Sequence, residues 1–116
     1  MKIAKFEELE IWKESRMLVN NIYTEFHDLK NYAFKDQIYR SSLSVMNNIA
    51  EGFDRSSDKE FIKFLFYSYS SCSEVRSMLY IAQDFNYISQ SAIPELMASC
   101  IKLSKQISSL ISYLKK

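Results

Sequence analysis

Gln37, Arg40, Ser44, Asn48, Glu51 and Arg55 follow one another at steps of three and four. On a helix such residues stack along one face for about five turns; Asn47 is an alternative to Asn48 in this line. A guanidinium can pair with a carboxylate, and Asn and Ser can bridge between them. The line therefore admits three readings: a buried polar network that fixes helix register or subunit orientation, a ligand or nucleic-acid groove built on Arg40 and Arg55, or a solvated face. In the first reading Glu74 and Ser71 are the expected partners of Arg40. Glu51 and Asp54 lie about one helical turn apart, the arrangement of an acid/base pair, but the sequence supplies no recognisable pocket around them. His27 is the only histidine, so no metal-binding His pair exists and a polar helix-end role is expected of it. Cys72 and Cys100 are too far apart for a paired motif such as CxxC, which leaves them as small core residues rather than a metal site or redox pair. There is no glycine-rich phosphate loop and no nucleophile elbow, so no enzyme activity and no cofactor are expected.

Basic residues form a second constellation. Arg55, Lys59 and Lys63 are spaced four apart, and Lys102, Lys105, Lys115 and Lys116 follow in a stretch from Leu96 onward that holds no acidic residue. Tyr67 and Tyr69 lie close enough in sequence to stack on bases beside these cations. Glu7, Glu8, Glu10 and Glu14 crowd the start. Acids near a helix N-terminus and bases near a C-terminus also complement the helix dipole, so this polarity has a structural reading beside the binding one. Net charge is only +1, which provides no global field toward nucleic acid or an anionic membrane. A repeated modest patch would still add up in an oligomer.

The elements that must carry these residues are helical. One glycine and one proline in 116 residues leave almost no turn punctuation for a β fold. A chain of this length buries roughly 65% of its unfolded surface, enough for one core, and a single domain over 1–116 is expected. In the first segment the apolar residues Phe6, Leu9, Trp12, Val19, Ile22, Tyr23 and Phe26 recur at helical steps, with Arg16 falling on the stripe and so either snorkelling or meeting a buried acid. In the second, Ile38, Ser42, Val45, Ile49 and Gly52 form one stripe and Tyr39, Leu43, Met46, Ala50 and Phe53 another. Ser57 and Glu60 have capping-box spacing and start the third segment. Its main stripe is Phe61, Phe64, Leu65, Ser68, Cys72, Val75, Leu79 and Ala82, and a further line of Ile62, Phe66, Tyr69 and Tyr80 implies either a central position or contact with another subunit. Pro94 sits near the start of the fourth, which carries Ile93, Leu96, Cys100, Leu103, Ile107, Leu110, Ile111 and Leu114.

These patterns predict an all-α, antiparallel up-down four-helix bundle with helices near 6–27, 35–55, 58–85 and 91–115. The lone Gly52 falls in phase with the core stripe, so it predicts a close approach to a large neighbour such as Trp12, with a helix C-cap or a ligand contact as the alternatives. No apolar run approaches the roughly 20 residues of a membrane span, and no signal-peptide apolar region opens the chain, so a cytoplasmic location and no membrane partner are expected.

Taken together, FEELEIW, DQIYRSSLSVMNNIAEGFDRSSDKEFIKFL, SSCSE and NYI resemble the 23S rRNA intervening-sequence protein family, also called four-helix bundle proteins. Gln37, Arg40, Ser44, the run Asn48 to Gly52, Arg55, Glu60, Phe61, Phe64 and Leu65 carry the resemblance. Four positions depart from the family's pattern. Met46 replaces a common proline, Asp54 a second glycine, Ser70-Ser71 a Gly-Ser step and Arg76 a glutamate. The resemblance implies a bundle that assembles with copies of itself, as a pentameric ring. It is also similar to the accessory variability determinant of diversity-generating retroelements, which binds nucleic acid and a reverse transcriptase. The resemblance thus points to a non-enzymatic oligomer that contacts RNA or DNA, with a protein-interaction scaffold as the alternative.

Overall fold

Four helices form in the four predicted segments, and α2, α3 and α4 bury the predicted main stripes. The computed structural model describes residues 2–116 and contains α1 (Glu10–Phe26), α2 (Tyr32–Phe53), α3 (Asp58–Asp84) and α4 (Ala92–Leu114). Among the described residues each helix packs on two neighbours: α1 on α2 and α4, and α3 on α2 and α4. The result is an antiparallel up-down bundle, 43 × 20 × 20 Å. Consecutive helices run in opposite directions, so the end of α2, the start of α3 and the end of α4 meet at one end of the bundle.

The core is a single cluster in which the stripes of α2, α3 and α4 interlock. Ile38, Val45, Ile49, Leu65, Cys72, Val75, Leu79, Cys100 and Ile107 are all fully buried. Small residues sit among them. Ser42 and Ser68 are buried as completely as their apolar neighbours, and each hydroxyl has a partner: Ser42 donates to the Tyr39 carbonyl at 2.8 Å and Ser68 crosses to the Val45 carbonyl of α2 at 2.7 Å. A buried hydroxyl without a partner costs about 1–3 kcal/mol, so these bonds are what makes serine tolerable there.

Helix boundaries follow local chemistry. At the start of α2 the Asn31 side chain accepts from the Phe34 N–H at 3.1 Å, which begins the helix at Tyr32, three residues ahead of the predicted start. Ser57 caps α3 by accepting from the Glu60 N–H at 3.2 Å. Only this half of the capping box is formed; the carboxylate of Glu60 makes no return bond among the described residues. Between α3 and α4 the chain turns at Asn86, whose φ of 55° lies in the left-handed region that asparagine tolerates better than most residues.

The first helix corrects the sequence reading twice. Residues Phe6–Glu8 form a short 3-10 turn, Leu9 is extended, and α1 begins only at Glu10. A continuous helix would carry Leu9 to the side opposite Ile11, Leu18 and Ile22, whereas the break folds it into the core. The buried stripe also passes through Ser15, whose hydroxyl is satisfied by the Trp12 carbonyl at 2.8 Å. Arg16 is therefore exposed, with its guanidinium 5.7 Å from the Trp12 ring centre, and Tyr23 is exposed too. Treating Ser15 as polar had rotated the expected face toward Trp12 and Arg16.

Gly52 is buried and helical, one residue before the end of α2. Its close neighbour is α3 and not Trp12, because this end of α2 lies against the first turns of α3 while Trp12 packs on Phe6 with ring centres 5.3 Å apart. A Cβ on residue 52 would stand 2.6 Å from the Phe64 Cβ and 3.1 Å from Phe61 Cδ1. The Phe64 Cβ is fixed to the helix backbone and cannot swing away, so the helices themselves must separate. Overpacking of this kind costs about 1–3 kcal/mol, against a gain of about 0.5–1 kcal/mol for replacing a helical glycine by alanine. Gly52→Ala is expected to lower the thermal midpoint by several degrees and Gly52→Leu by more; a differential scanning calorimetry trace for Gly52→Ala at or above wild type would contradict this packing.

Candidate nucleic-acid interface

The polar line of α2 divides into two sets. One joins α2 to α3: Gln37 Nε2 donates to Glu74 Oε2 at 2.7 Å, and the Ser44 and Ser71 hydroxyls share a hydrogen bond of 2.8 Å. Asn48 Nδ2 completes this set by donating to the Ser44 carbonyl at 2.8 Å and to its hydroxyl at 3.0 Å. The other set pairs along α2 itself. Arg40 Nε lies 2.8 Å from Asp36 Oδ2, and Arg55 Nη2 lies 3.0 Å from Glu51 Oε1. Arg40 thus does not meet Glu74 or Ser71: a carboxylate one turn away on its own helix is nearer, and Gln37 holds Glu74. Both arginine pairs are solvent-exposed and contribute little to stability, whereas the Ser44–Ser71 bridge is half-buried and fixes the α2–α3 register.

Beyond Gly52 the same seam opens into a basic and aromatic surface. With Phe61, Leu65 and Ser68 turned inward, the helical period points Lys59, Lys63, Phe66 and Ser70 outward from α3. The guanidinium carbon of Arg55 sits 4.7 Å from the Phe64 ring centre, and Phe64 meets Tyr67 edge to face with centres 5.6 Å apart. Antiparallel packing returns the end of α4 to this place, where Lys115 Nζ lies 5.4 Å from the Phe66 ring centre and Lys116 follows, exposed. Arg55, Lys59, Lys63, Lys115 and Lys116 therefore share one end of the bundle, around the half-exposed rings of Phe66 and Tyr67.

The remaining basic residues lie elsewhere. Lys102 Nζ is 3.1 Å from Glu14 Oε1 and ties α4 to α1. Lys105 lines a groove of about 480 Å³ between α3 and α4, together with Tyr69, Arg76, Ile101 and Ser104. The sequence did not reveal that Lys115 reaches Phe66, since their proximity depends on α4 returning beside α3. Phe66 replaces Tyr69 as the second ring beside the cations: its position seven residues after Lys59 puts it on the same face, whereas Tyr69 turns to the α3–α4 groove.

Acid/base candidates do not converge. His27 ends α1 at the opposite end of the bundle from Glu51 and Asp54, and its ring stacks on Tyr23 with centres 5.5 Å apart while Nδ1 contacts the Thr24 carbonyl at 3.0 Å. The ring of His27 instead borders a cleft of about 690 Å³ between α1 and α2, lined also by Tyr23, Phe26, Tyr32, Lys35 and Tyr39, which residue spacing alone does not predict. Cys72 and Cys100 are buried core residues, as their isolated positions suggested, yet α3 and α4 bring them together: Cys72 Sγ donates to the Cys100 carbonyl at 3.4 Å. Among the described residues no three side chains are grouped as metal ligands, and no helix is long and apolar enough to cross a membrane.

Comparison with known proteins agrees with this architecture. A crystal structure of a protein of unknown function from the S23 ribosomal protein family of Bacteroides thetaiotaomicron VPI-5482 superposes with a TM-score of 0.82 at 21% identity, covering 87% of this chain and 97% of that one. At that identity the likeness establishes the fold alone. No curated protein matches the chain. The sequence profile of the 23S rRNA-intervening sequence proteins matches residues 7–109, which contain the seam, the glycine contact and most of the basic end. The chain belongs to the 23S rRNA-intervening sequence protein family.

Proposed function

We propose that this protein is a non-enzymatic, self-associating helical scaffold of the cytoplasm that binds RNA or DNA through its basic and aromatic end. The observation that carries the reading is the placement of Lys59, Lys63 and Lys115 around the exposed ring of Phe66, with Arg55 over Phe64 beside them. Cations attract phosphates without regard to sequence, and an aromatic face between them offers a platform for an unpaired base. One such patch is small and acids such as Asp54 and Asp58 stand near it, so single-copy binding would be weak. Repetition around a ring of five copies would raise it through effective concentration.

Self-association draws support from apolar surface on two opposite sides. Tyr23 and Tyr32 are exposed on the α1–α2 side, and Tyr69, Tyr80 and Ile101 on the α3–α4 side. Surfaces that differ on opposite sides of one protomer suit head-to-tail contacts, which close into rings when the rotation allows. A second reading is favoured by the α1–α2 cleft: its aromatic lining suits a protein partner, with no nucleic acid involved.

Two measurements test these readings. Multi-angle light scattering at micromolar concentration is expected to give a multiple of the chain mass, five for a ring; a monomer would remove self-association. Filter binding of the assembled protein to structured RNA should weaken steeply with salt, and Lys59→Glu with Lys63→Glu should lower affinity at least about tenfold while reducing the salt slope by about 0.7–0.9 per lost phosphate contact. Both lysines are exposed, so thermal stability should stay within about 0.5 kcal/mol of wild type. Absence of any salt-sensitive retention by the wild-type oligomer at low salt would leave the protein-scaffold reading in its place.

A further inference from the structure

The facing pair Cys72 and Cys100 has no part in the proposed binding surface, and its surroundings are unusual for inert core thiols. Cys72 lies on α3 and Cys100 on α4, both fully buried and both free. They contact one another: the Cys72 thiol donates to the Cys100 carbonyl, and the two side chains are within hydrogen-bonding reach. One turn further along each helix stand Arg76 and Ser104, and these two residues line the α3–α4 groove of about 480 Å³. The thiol pair thus lies one helical turn from two residues of the groove's lining.

We propose that Cys72 and Cys100 form an oxidation site, in which a small hydroperoxide admitted through the α3–α4 groove converts the two thiols to a disulfide that ties α3 to α4. Cys72 is the attacking sulfur. The hydrogen bond from the Cys100 thiol lowers its pKa to about 7 against the opposing effect of burial, and Ser104 and the Arg76 charge act in the same direction as Cys100. That same hydrogen bond, with burial, pushes the Cys100 thiol up and keeps it protonated. A neighbouring cation such as Arg76 raises the thiolate fraction, which is the nucleophilic form of cysteine.

The chemistry balances with peroxide as the only oxidant. The Cys72 thiolate attacks one peroxide oxygen; an S–O bond forms, the O–O bond breaks, and the departing hydroxide takes a proton to leave as water. Sulfur is thereby oxidised to the sulfenic acid and peroxide is reduced. Cys100 then loses its proton as its sulfur attacks the Cys72 sulfur; the S–S bond forms, the S–O bond breaks, and a second water departs. Two thiols and one hydroperoxide give one disulfide and two waters when the oxidant is hydrogen peroxide. The bond closes a loop from α3 through the connection to α4, and so restricts the unfolded chain.

The test uses the folded full-length protein and hydrogen peroxide. One equivalent is expected to remove two hydrogen atoms from the intact mass, to abolish alkylation of both thiols, and to join the Cys72 and Cys100 peptides in a non-reducing digest, all reversed by dithiothreitol. The oxidised protein should unfold at higher urea than the reduced one. Cys100→Ser is expected to stop at a sulfenic acid trapped by dimedone, and Arg76→Gln, at a half-exposed position, to fold normally and react several-fold more slowly. Oxygen adducts without a cross-link, a cross-link between chains, or a folded protein inert to peroxide while the urea-unfolded chain reacts would each overturn the site. An Arg76→Gln variant reacting at the wild-type rate would overturn the assisted thiolate.

Discussion

The close approach of α2 to α3 at Gly52 is the constraint on which the rest of the structure depends. No side chain larger than hydrogen fits between the end of α2 and Phe64 without moving the two helices apart. Ser57 sets where α3 begins, and the Gly52 contact sets how it is turned against α2. With Gly52 against Phe61 and Phe64, the Ser68 hydroxyl reaches the Val45 carbonyl and Ser71 reaches Ser44 further along. Small residues and satisfied hydroxyls thus line the α2–α3 contact from one end toward the other.

The two proposed sites are coupled to that geometry through the rotation of α3. Once Phe61, Leu65 and Cys72 face inward, Lys59, Lys63 and Phe66 have no choice but to face out, and Cys72 has no choice but to meet α4. The basic surface and the thiol pair are therefore two consequences of one helix phase. Phe64 joins them directly, since its Cβ sets the limit at Gly52 while its ring carries the Arg55 guanidinium. A change that moves α3 would disturb the basic surface and the thiol contact together.

Much of this was legible because helical period survives in sequence wherever a face is buried. The stripes Ile38 to Gly52, Phe61 to Ala82 and Ile93 to Leu114 identify three of the four core faces, missing only the buried Ser41 and Ala92 and including the half-buried Phe64, Leu110 and Leu114, and Ser57 marks the start of α3. The first helix misled because its stripe passes through Ser15, a polar residue whose burial depends on bonding its own backbone. Pairings across helices were not legible. Arg40 chooses Asp36 over Glu74, Gly52 meets Phe64 and not Trp12, and Cys72 meets Cys100, each decided by helix rotations and separations that no single segment encodes. The candidate surface was half visible: Arg55, Lys59 and Lys63 by their spacing, but not the return of Lys115 to Phe66.

A thermodynamic cycle between Gly52 and Phe64 tests the central claim most directly, since it measures the contact itself apart from any ligand. Gly52→Ala and Phe64→Gly would be made singly and together, and unfolding free energies compared in urea. Removing the Phe64 Cβ clears the atom that an alanine at 52 would strike. The account predicts that Gly52→Ala destabilises the wild-type background but is neutral or stabilising in Phe64→Gly, with a coupling of about 1 kcal/mol or more. Additive effects within about 0.3–0.5 kcal/mol would contradict it, and would place the determinant of the α2–α3 approach elsewhere along the seam.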